Sequence, residues 1–505
     1  MTNGQSQHSK NGRIAVLTAN QPSEGNIHQW DEREIKFQIP SHFAIPDQLG
    51  TPIPPHVFTS TYFDSTDHRL GKIGITLRKR IERGRGVWQL KIPSGDYRIE
   101  LEIESGSRHI PWPLLDLLPA FFRKHEPVQL GKLRTWRTGR LIEQGTLSAA
   151  ITLDSVALLQ KHKIISRFQE LELELKKGQT EQLKDIRKTL EKAGAQTKPL
   201  QPKIFQALHL PYPLVIPALD PQASPSDHIQ ARLHTQITQM LFHDPGTRLG
   251  RDSEALHQMR VATRRVRALL RCSRRFWDVE WNQKMRREVG WIGSHLGEVR
   301  DWDVLLESLG QESSDLPSQE GRAFDAILNT FQKKRSVARA KLLEALRSDR
   351  YLDLLNALDD SLTHLAFQGM APTMEDLSRK AFSKLENFVN STHGQFPKQE
   401  LHHIRILVKR ARYTVELAKP FLTQSATRFI QHAKNLQEAL GHHQDALVIE
   451  HQLLSHKTLS ESPEIAFVKG ILVERFRHRQ ILACQNLPQL WKKLRKSGRK
   501  LSSSM

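Results

Sequence analysis

The chain has 505 residues, with 75 Lys and Arg against 54 Asp and Glu and a formal net charge of +21, enough length for several domains with buried cores and a balance suited to nucleic acid, polyphosphate or an anionic membrane surface. The excess is spread over both halves, 31 basic against 23 acidic residues over 1–225 and 44 against 31 over 226–505, which excludes a basic tail as its source. Cys272 and Cys484 are the only cysteines, which excludes a disulfide framework or thiolate metal centre and fits a reducing cytoplasm, and the apolar runs fall short of the ~20 residues that span a bilayer.

Residues 1–27 are polar, lack a charged-then-apolar signal layout and are expected as a disordered leader. From 28 to 210 the pattern is strand-rich. Period-2 alternation recurs at Glu32–Ile39, Ile75–Ile81, Val87–Ile92, Tyr97–Glu104, Ala150–Val156 and Phe168–Lys176, and such alternation marks strands. Helices are expected near Pro111–His125 and Glu181–Ala193. Residues 211–227 are Pro-rich and read as a linker. Asp227 is a candidate cap for the first helix beyond it.

Successive side chains on a strand alternate faces. Glu32, Glu34 and Lys36 therefore share one face, Arg78 and Arg80 another, and Arg98, Glu100, Glu102 and Glu104 a third. Glu170, Glu172 and Glu174 do the same, opposite Leu171, Leu173 and Leu175. A single such strand is most simply a half-buried strand with a solvated charged face. Several together call for another reason, because carboxylates at i, i+2 and i+4 repel. Mg²⁺ or Mn²⁺ supplies one: both take carboxylate oxygens and bridge phosphates. Interleaved Arg and Lys supply the complementary half, since guanidinium groups fork onto phosphate oxygens. Closed into a barrel with the charged face inward, these strands make a polar tunnel.

Glu32-x-Glu34-x-Lys36 resembles the ExExK signature of the CYTH domain, the triphosphate tunnel metalloenzymes. Further matches follow in order: Tyr62-Phe63-Asp64-Ser65-Thr66-Asp67 with Leu70, Leu77-Arg78-Lys79-Arg80, Lys91 (Gln89 standing where Thr is usual), Arg98-x-Glu100-x-Glu102, Arg134 with Arg137, Asp154, Glu170-x-Glu172-x-Glu174, and Lys203 after Pro202 rather than Ser. The resemblance implies an eight-stranded antiparallel barrel hydrolysing a triphosphate. Lys36, Arg78, Arg80, Lys91, Arg134, Arg137 and Lys203 would hold the phosphates. Glu32, Glu34, Glu102, Asp154, Glu170, Glu172 and Glu174 would hold one or two Mg²⁺ or Mn²⁺ ions, with Glu32, Glu34 and Lys36 as the catalytic set.

Beyond the linker the pattern is helical, and a phrase is written twice. His257, Arg260, Arg264, Arg265 and Arg267 return 145 positions later as His402, Arg405, Lys409, Arg410 and Arg412. Leu296-Gly297 with Arg300-Asp301 and Val304 returns as Leu440-Gly441 with Gln444-Asp445 and Val448. This is an internal duplication. On a helix the His, Arg and Lys of each copy form one narrow stripe opposite an apolar face. Cations packed so closely repel unless an anion compensates. Arg335 and Arg339, echoed by Arg475 and Arg479, are candidate extensions of that face. The His residues have no acidic or Cys partner at metal-ligand spacing.

These phrases resemble the CHAD domain over 228–496, with repeats at about 228–365 and 372–496 and a disordered tail at 497–505. The resemblance implies two similar helical bundles about a pseudo-twofold and a basic groove for inorganic polyphosphate. The expected fold class is thus multidomain α+β, a tunnel barrel with flanking helices followed by an all-α duplicated bundle. The expected function is metal-dependent hydrolysis of inorganic triphosphate with polyphosphate binding. The alternatives are a non-catalytic polyphosphate-binding or granule-associated protein, and a triphosphatase for an organic triphosphate such as thiamine triphosphate or a nucleotide. Sequence-specific nucleic-acid readout is not expected, because apart from Tyr413 no aromatics interleave the stripes. No membrane insertion is expected, and oligomeric state stays open.

Overall fold

A computed structural model describes residues 26–161, 163–210, 212, 223–313, 320–361, 373–422, 424–455 and 462–501. The chain divides into two compact units, Met1–Val215 and Ile216–Met505. The expected leader to residue 25, positions 213–222 of the linker and the last four residues of the tail lie outside the described residues.

The first unit contains β1 (His28–Gln38), β2 (Thr51–Asp64), β3 (Thr76–Glu82), β4 (Arg85–Ser94), β5 (Tyr97–Glu104), β6 (Val128–Gln144), β7 (Leu147–Gln160), β8 (Lys163–Lys177) and the short β9 (Gln196–Lys198). The order is β5-β4-β3-β2-β6-β7-β8-β1, and β5 pairs with β1 to close the ring. Eight antiparallel strands therefore form a barrel without edges, and β9 adds to β1 at Lys36–Gln38. β2 and β6 lie outside the alternating segments read from sequence. Both carry register shifts or mixed faces: β2 slips between Ile53 and His56 and again after Tyr62, and an outward Trp136 is 52 % exposed.

Short helices flank the barrel: α1 (Arg69–Lys72), α2 (Trp112–Leu115), α3 (Pro119–Phe122), α4 (Leu183–Lys192) and α5 (Lys203–Ala207). α4 lays Leu183, Ile186 and Leu190 over the outward Phe37, Ile151, Leu171 and Leu173, which is why those alternate positions are apolar. α5 packs Ile204 and Phe205 with Tyr62, Leu133, Val156 and Leu158. These four are inward positions, so α5 fills one end of the barrel. Asp64, part of the tunnel resemblance, serves the backbone: its carboxylate accepts from the N–H groups of Ser65, Leu70 and Gly71 at 2.7, 2.9 and 3.0 Å and sets the turn into α1.

The second unit is helical. α6 (Pro225–Leu249), α7 (Glu254–Cys272), α8 (Val279–Glu312), α9 (Gly321–Arg347) and α10 (Asp349–Ser361) are answered by α11 (Met374–Ser391), α12 (Leu401–Ala418), α13 (Gln424–Ser455), α14 (Pro463–Cys484) and α15 (Leu487–Lys500). α7 packs against α12 and α9 against α14. These helices, and α8 with α13, meet their own copies, as across a twofold. The shared core is a four-helix layer holding Leu305 and Leu309 of α8, Phe324 and Phe331 of α9, Ile449 of α13 and Leu472 and Phe476 of α14.

Two boundaries move. Ser224, rather than Asp227, is the N-cap of α6; its side chain accepts from the Asp227 N–H, and Asp227 answers from the third helical position. This is a capping box, so helix replaces linker from Pro225. The expected tail is helical to Lys500, and Leu501 is buried. Among the described residues no helix is long and apolar enough to cross a membrane.

Candidate active site and anion-binding face

Strand alternation, with Lys203 added from α5, turns carboxylates and cations into the barrel together: Glu32, Glu34, Glu82, Glu100, Glu102, Asp154, Glu170, Glu172 and Glu174 beside Lys36, Arg78, Arg80, Lys91, Arg98, Arg137, Lys198 and Lys203. Acids and bases are interleaved, so the lumen neutralises itself by ion pairing. Lys36, 3 % exposed, lies 2.8 Å from both Glu170 and Glu172. Burial alone would lower its ammonium, but those two carboxylates outweigh it and raise it. Lys203, at the start of α5, reaches Asp154 and Glu172 at 2.8 Å. Lys198 on β9 reaches Glu170 at 2.6 Å. Arg137 grips both oxygens of Asp154 at 2.7 Å and Glu172 at 3.2 Å.

The other side of the lumen is built by β1, β4 and β5. Lys91 pairs with Glu32 and lies 3.2 Å from Glu100. Arg98 lies 3.2 Å from Glu32 and pairs with Glu34. Burial raises the Glu32 carboxyl, but Lys91 and Arg98 overcome it and bring it down to about 2. Glu100 moves the other way, pushed up by burial and by Glu32 against the pull of Lys91. Arg78 donates to Gln89 at 2.7 Å and to the Tyr62 hydroxyl at 3.0 Å, so Gln89, at the position where the family has Thr, anchors a basic side chain. Gln89 also donates to Glu100 at 3.1 Å and to Glu102.

Arg134 departs from expectation. It is exposed, pairs in register with Thr59 and Ala157, and lies on the outer face, because an odd spacing of three residues on a strand puts it opposite Arg137. Lumen residues absent from the expected set are Glu82, Arg98, Glu100 and Lys198. Glu82 was legible from its shared parity with Arg80, and Arg98 and Glu100 from theirs with Glu102; Lys198 sits on a three-residue strand whose sequence carries no pattern.

Among the described residues no three His, Cys, Asp or Glu side chains stand together as a ready-made metal cluster. The chemistry of the lumen nonetheless suits a hard cation. All donors are oxygens, Glu34 stands directly opposite Glu174 across β1 and β8, and Glu32 and Glu100 raise each other's cost of ionisation. Mg²⁺ and Mn²⁺ prefer such oxygen sets.

In the helical unit the two copies of the basic phrase meet. Arg260 and Arg264 of α7 act on Lys409 of α12 together with Arg405. Burial comes first and these three guanidinium groups second in bringing the Lys409 ammonium down to about 7, with Asp445 of α13 opposing. Arg405 is likewise lowered by burial and by Arg264 and Arg260. The His257 imidazole is lowered by burial and then by Arg300, Arg264 and Arg260. Arg260 pairs with Asp301 at 3.0 Å. His402 meets Gln444 at 3.2 Å where His257 faces the charge of Arg300, so the second copy is one cation poorer. Buried donors without a hydrogen-bond partner among the described residues include Arg264 Nε, Arg405 Nε and Arg410 Nε. Such donors are costly, and an anion would satisfy them.

The copies are otherwise unequal. Arg265 and Arg267 are exposed, whereas Arg412 is buried, 3.2 Å from Glu416 and over the Tyr413 ring. The four echo residues are committed elsewhere. Arg335 pairs with Asp303, and Arg475 and Arg479 both pair with Glu312. Arg339 donates to the carbonyls of Thr247 and Arg248 at 3.2 and 2.7 Å. Those carbonyls belong to the last turn of α6, which has no intrahelical donors for them, so Arg339 is a helix cap.

The CYTH domain model matches residues 31–200 and the CHAD domain model residues 231–454. The uncharacterized protein Rv2226 of Mycobacterium tuberculosis is 27 % identical over 479 residues, 88 % of this chain and 91 % of its own. The CHAD domain of the plant Ricinus communis is similar over 57 % of this chain and 97 % of its own, at 23 % identity and TM-score 0.45. The putative adenylyl cyclase HpAC1 from Hippeastrum, described as having a dominant triphosphatase activity, is similar over 37 % of this chain and 99 % of its own, at 18 % identity and TM-score 0.26. The two domain models, with the closed eight-stranded barrel and the duplicated helical unit, show that the chain carries a CYTH domain, of the triphosphate tunnel enzyme family, followed by a CHAD domain.

Proposed function

We propose that the barrel hydrolyses inorganic triphosphate with Mg²⁺ or Mn²⁺ and that the helical unit binds inorganic polyphosphate. The observation that carries the reading is the interleaved lumen. A bare polyanion entering this set of paired acids and bases would gain from the cations and lose to the carboxylates. A polyanion arriving with divalent cations inserts between them at balanced charge, phosphate oxygens going to Lys and Arg and metal to Glu and Asp.

In that exchange Lys36, Arg78, Arg80, Lys91, Arg137 and Lys203 hold phosphate oxygens, and Arg137 is already held in a fixed fork by Asp154. Glu32 stays ionised at neutral pH because Lys91 and Arg98 hold its carboxyl down. Glu32, Glu34 and Glu174 would hold a metal, with Glu170, Glu172 and Asp154 joining once phosphate draws their cations away. A bound divalent ion bridges phosphate oxygens and lowers the pKa of its water, and positioning and charge stabilisation carry phosphoryl transfer. The Tyr62 face is not open to a base: the Arg78 guanidinium lies 5.8 Å from its centroid and the ring packs against α5.

For the helical unit, support comes from the Arg260, Arg264, Arg405 and Lys409 cluster and its unpartnered donors. The test is phosphate release by the intact chain from tripolyphosphate, long polyphosphate, ATP and thiamine triphosphate, with polyphosphate binding measured on the same preparation. Binding without release from any of these would leave a polyphosphate-binding protein with an idle barrel.

A further inference from the structure

The inward side chains of β2 run His56, Phe58, Ser60, Tyr62. Tyr62 belongs to the apolar cluster around α5 that fills one end of the barrel. Phe58 lies two inward positions further along the strand, toward the other end, where any group attached to a bound phosphate chain has to extend. It is an apolar ring among charges, and it is 4 % exposed. The Arg80 guanidinium lies 4.1 Å from its centroid and the Arg137 guanidinium 5.3 Å. His56 packs at 6.1 Å between ring centroids. Arg80 is lowered by burial and then by Arg78 and Arg137 against the pull of its partner Glu82, and the approach of such cations to an aromatic face is favourable.

We propose that Phe58 is a specificity-determining residue of the barrel: its ring fills the lumen beside Arg80 and Arg137, so that an inorganic phosphate chain is accepted and an organic group carried by such a chain is refused. An organic substituent needs either an open aromatic face or an apolar slot. The face of Phe58 is taken by two guanidinium groups, and the volume of a slot is taken by the ring. Rejection by shape of this kind is a difference in transition-state binding between two substrates. The inference rests on the triphosphatase reading above.

The test compares kcat/KM for tripolyphosphate with kcat/KM for ATP and thiamine triphosphate, in the intact chain, Phe58→Ala and Phe58→Leu. All three substrates are measured on one preparation, so their ratios are independent of the folded fraction. The wild type is expected to favour tripolyphosphate. Phe58→Ala is expected to lower the preference at least about tenfold through gained activity on the organic triphosphates, in the range that shape discrimination supplies. Phe58→Leu keeps bulk and is expected to retain the preference while raising KM for tripolyphosphate. A Phe58→Ala enzyme with unchanged preference or a Phe58→Leu enzyme that loses as much as Phe58→Ala overturns the inference and leaves the triphosphatase reading standing, whereas a wild type that prefers an organic triphosphate overturns the inference and the assignment to inorganic triphosphate together. A wild type that releases phosphate from none of the three overturns both.

Discussion

Glu34 on β1 stands directly opposite Glu174 on β8, carboxylate against carboxylate inside the closed barrel. Facing like charges destabilise a strand pair, and here only Arg98 pairs closely with Glu34, while Lys36 stands 3.8 Å away and Glu174 turns to the half-exposed Lys176 at 2.7 Å. These separate monovalent partners leave room for one divalent cation to join the two carboxylates.

Divalent metal is therefore expected to stabilise the intact protein. A ligand bound only by the folded state at a hundredfold over its Kd contributes about 2.7 kcal/mol, or several degrees of melting temperature for a domain of this size. Thermal melts with and without Mg²⁺ or Mn²⁺ check this. The double variant Glu34→Gln, Glu174→Gln is expected to melt at or above the metal-free wild type and to lose the response; a response equal to wild type would place the ion elsewhere.

Arg134 and Arg137 separate cleanly. Arg134→Ala is expected to leave kcat/KM for tripolyphosphate within about twofold, as for an exposed outer-face substitution. Arg137→Ala removes a cation from the lumen and leaves Asp154 with Lys203 alone. It is expected to lower kcat/KM by about 10² or more, the scale of losing one preorganised charge. Equal losses in the two variants would show that the face assignment is wrong.

That pair also shows what the sequence makes legible. The inward set of β1, β3, β5 and β8 follows from period-2 parity, and parity alone places Arg134 and Arg137 on opposite faces. A motif match overrides parity when the two are not checked against each other. Lys198 was beyond reach, because its place in the lumen depends on a three-residue strand added to β1. The capping contact of Arg339 is hidden for a different reason: helical periodicity shows which residues share a face but not that a guanidinium will meet the end of a neighbouring helix. The α7 and α12 stripes were legible because duplication repeats the same face twice, while their convergence on Lys409 is a tertiary fact.

Lys409 is expected to make the proposed polyphosphate binding pH-dependent. Its ammonium sits at about 7, crowded by Arg405 on its own helix and by Arg260 and Arg264 of α7, with Asp445 of α13 opposing. The folded value is depressed below that of an ordinary lysine, so the empty site is most strained below pH 7, and stability rises as pH climbs from 7 toward the ordinary lysine value. A bound polyanion favours the protonated form, so affinity is expected to fall as pH rises through 7 to 8.5 and binding to take up protons. Calorimetry in buffers of different ionisation enthalpy measures that uptake. Lys409→Arg, which cannot deprotonate, is expected to remove this share of it; unchanged uptake in the variant would assign the proton to another group.

Arg339 is expected to affect stability, whereas Arg264 is expected to affect binding. Arg339→Ala leaves the α6 carbonyls of Thr247 and Arg248 without their donor and is expected to cost about 1–3 kcal/mol, read as a lower denaturation midpoint with polyphosphate affinity unchanged. Arg264→Ala relieves repulsion in the empty site, keeps or raises stability, and weakens polyphosphate binding with a shallower salt dependence. The opposite assignment of the two effects would move the polyphosphate face from the α7–α12 contact to α9.

Whether the lumen is a metal-dependent triphosphatase site is decided by following orthophosphate and pyrophosphate released from tripolyphosphate by the intact chain, with Mg²⁺ or Mn²⁺ and with chelator, beside Glu32→Ala and Glu34→Ala. The expected result is turnover by the wild type that requires metal and falls by at least about 10² in either variant. Turnover that survives chelation, or that both variants retain, would contradict that assignment.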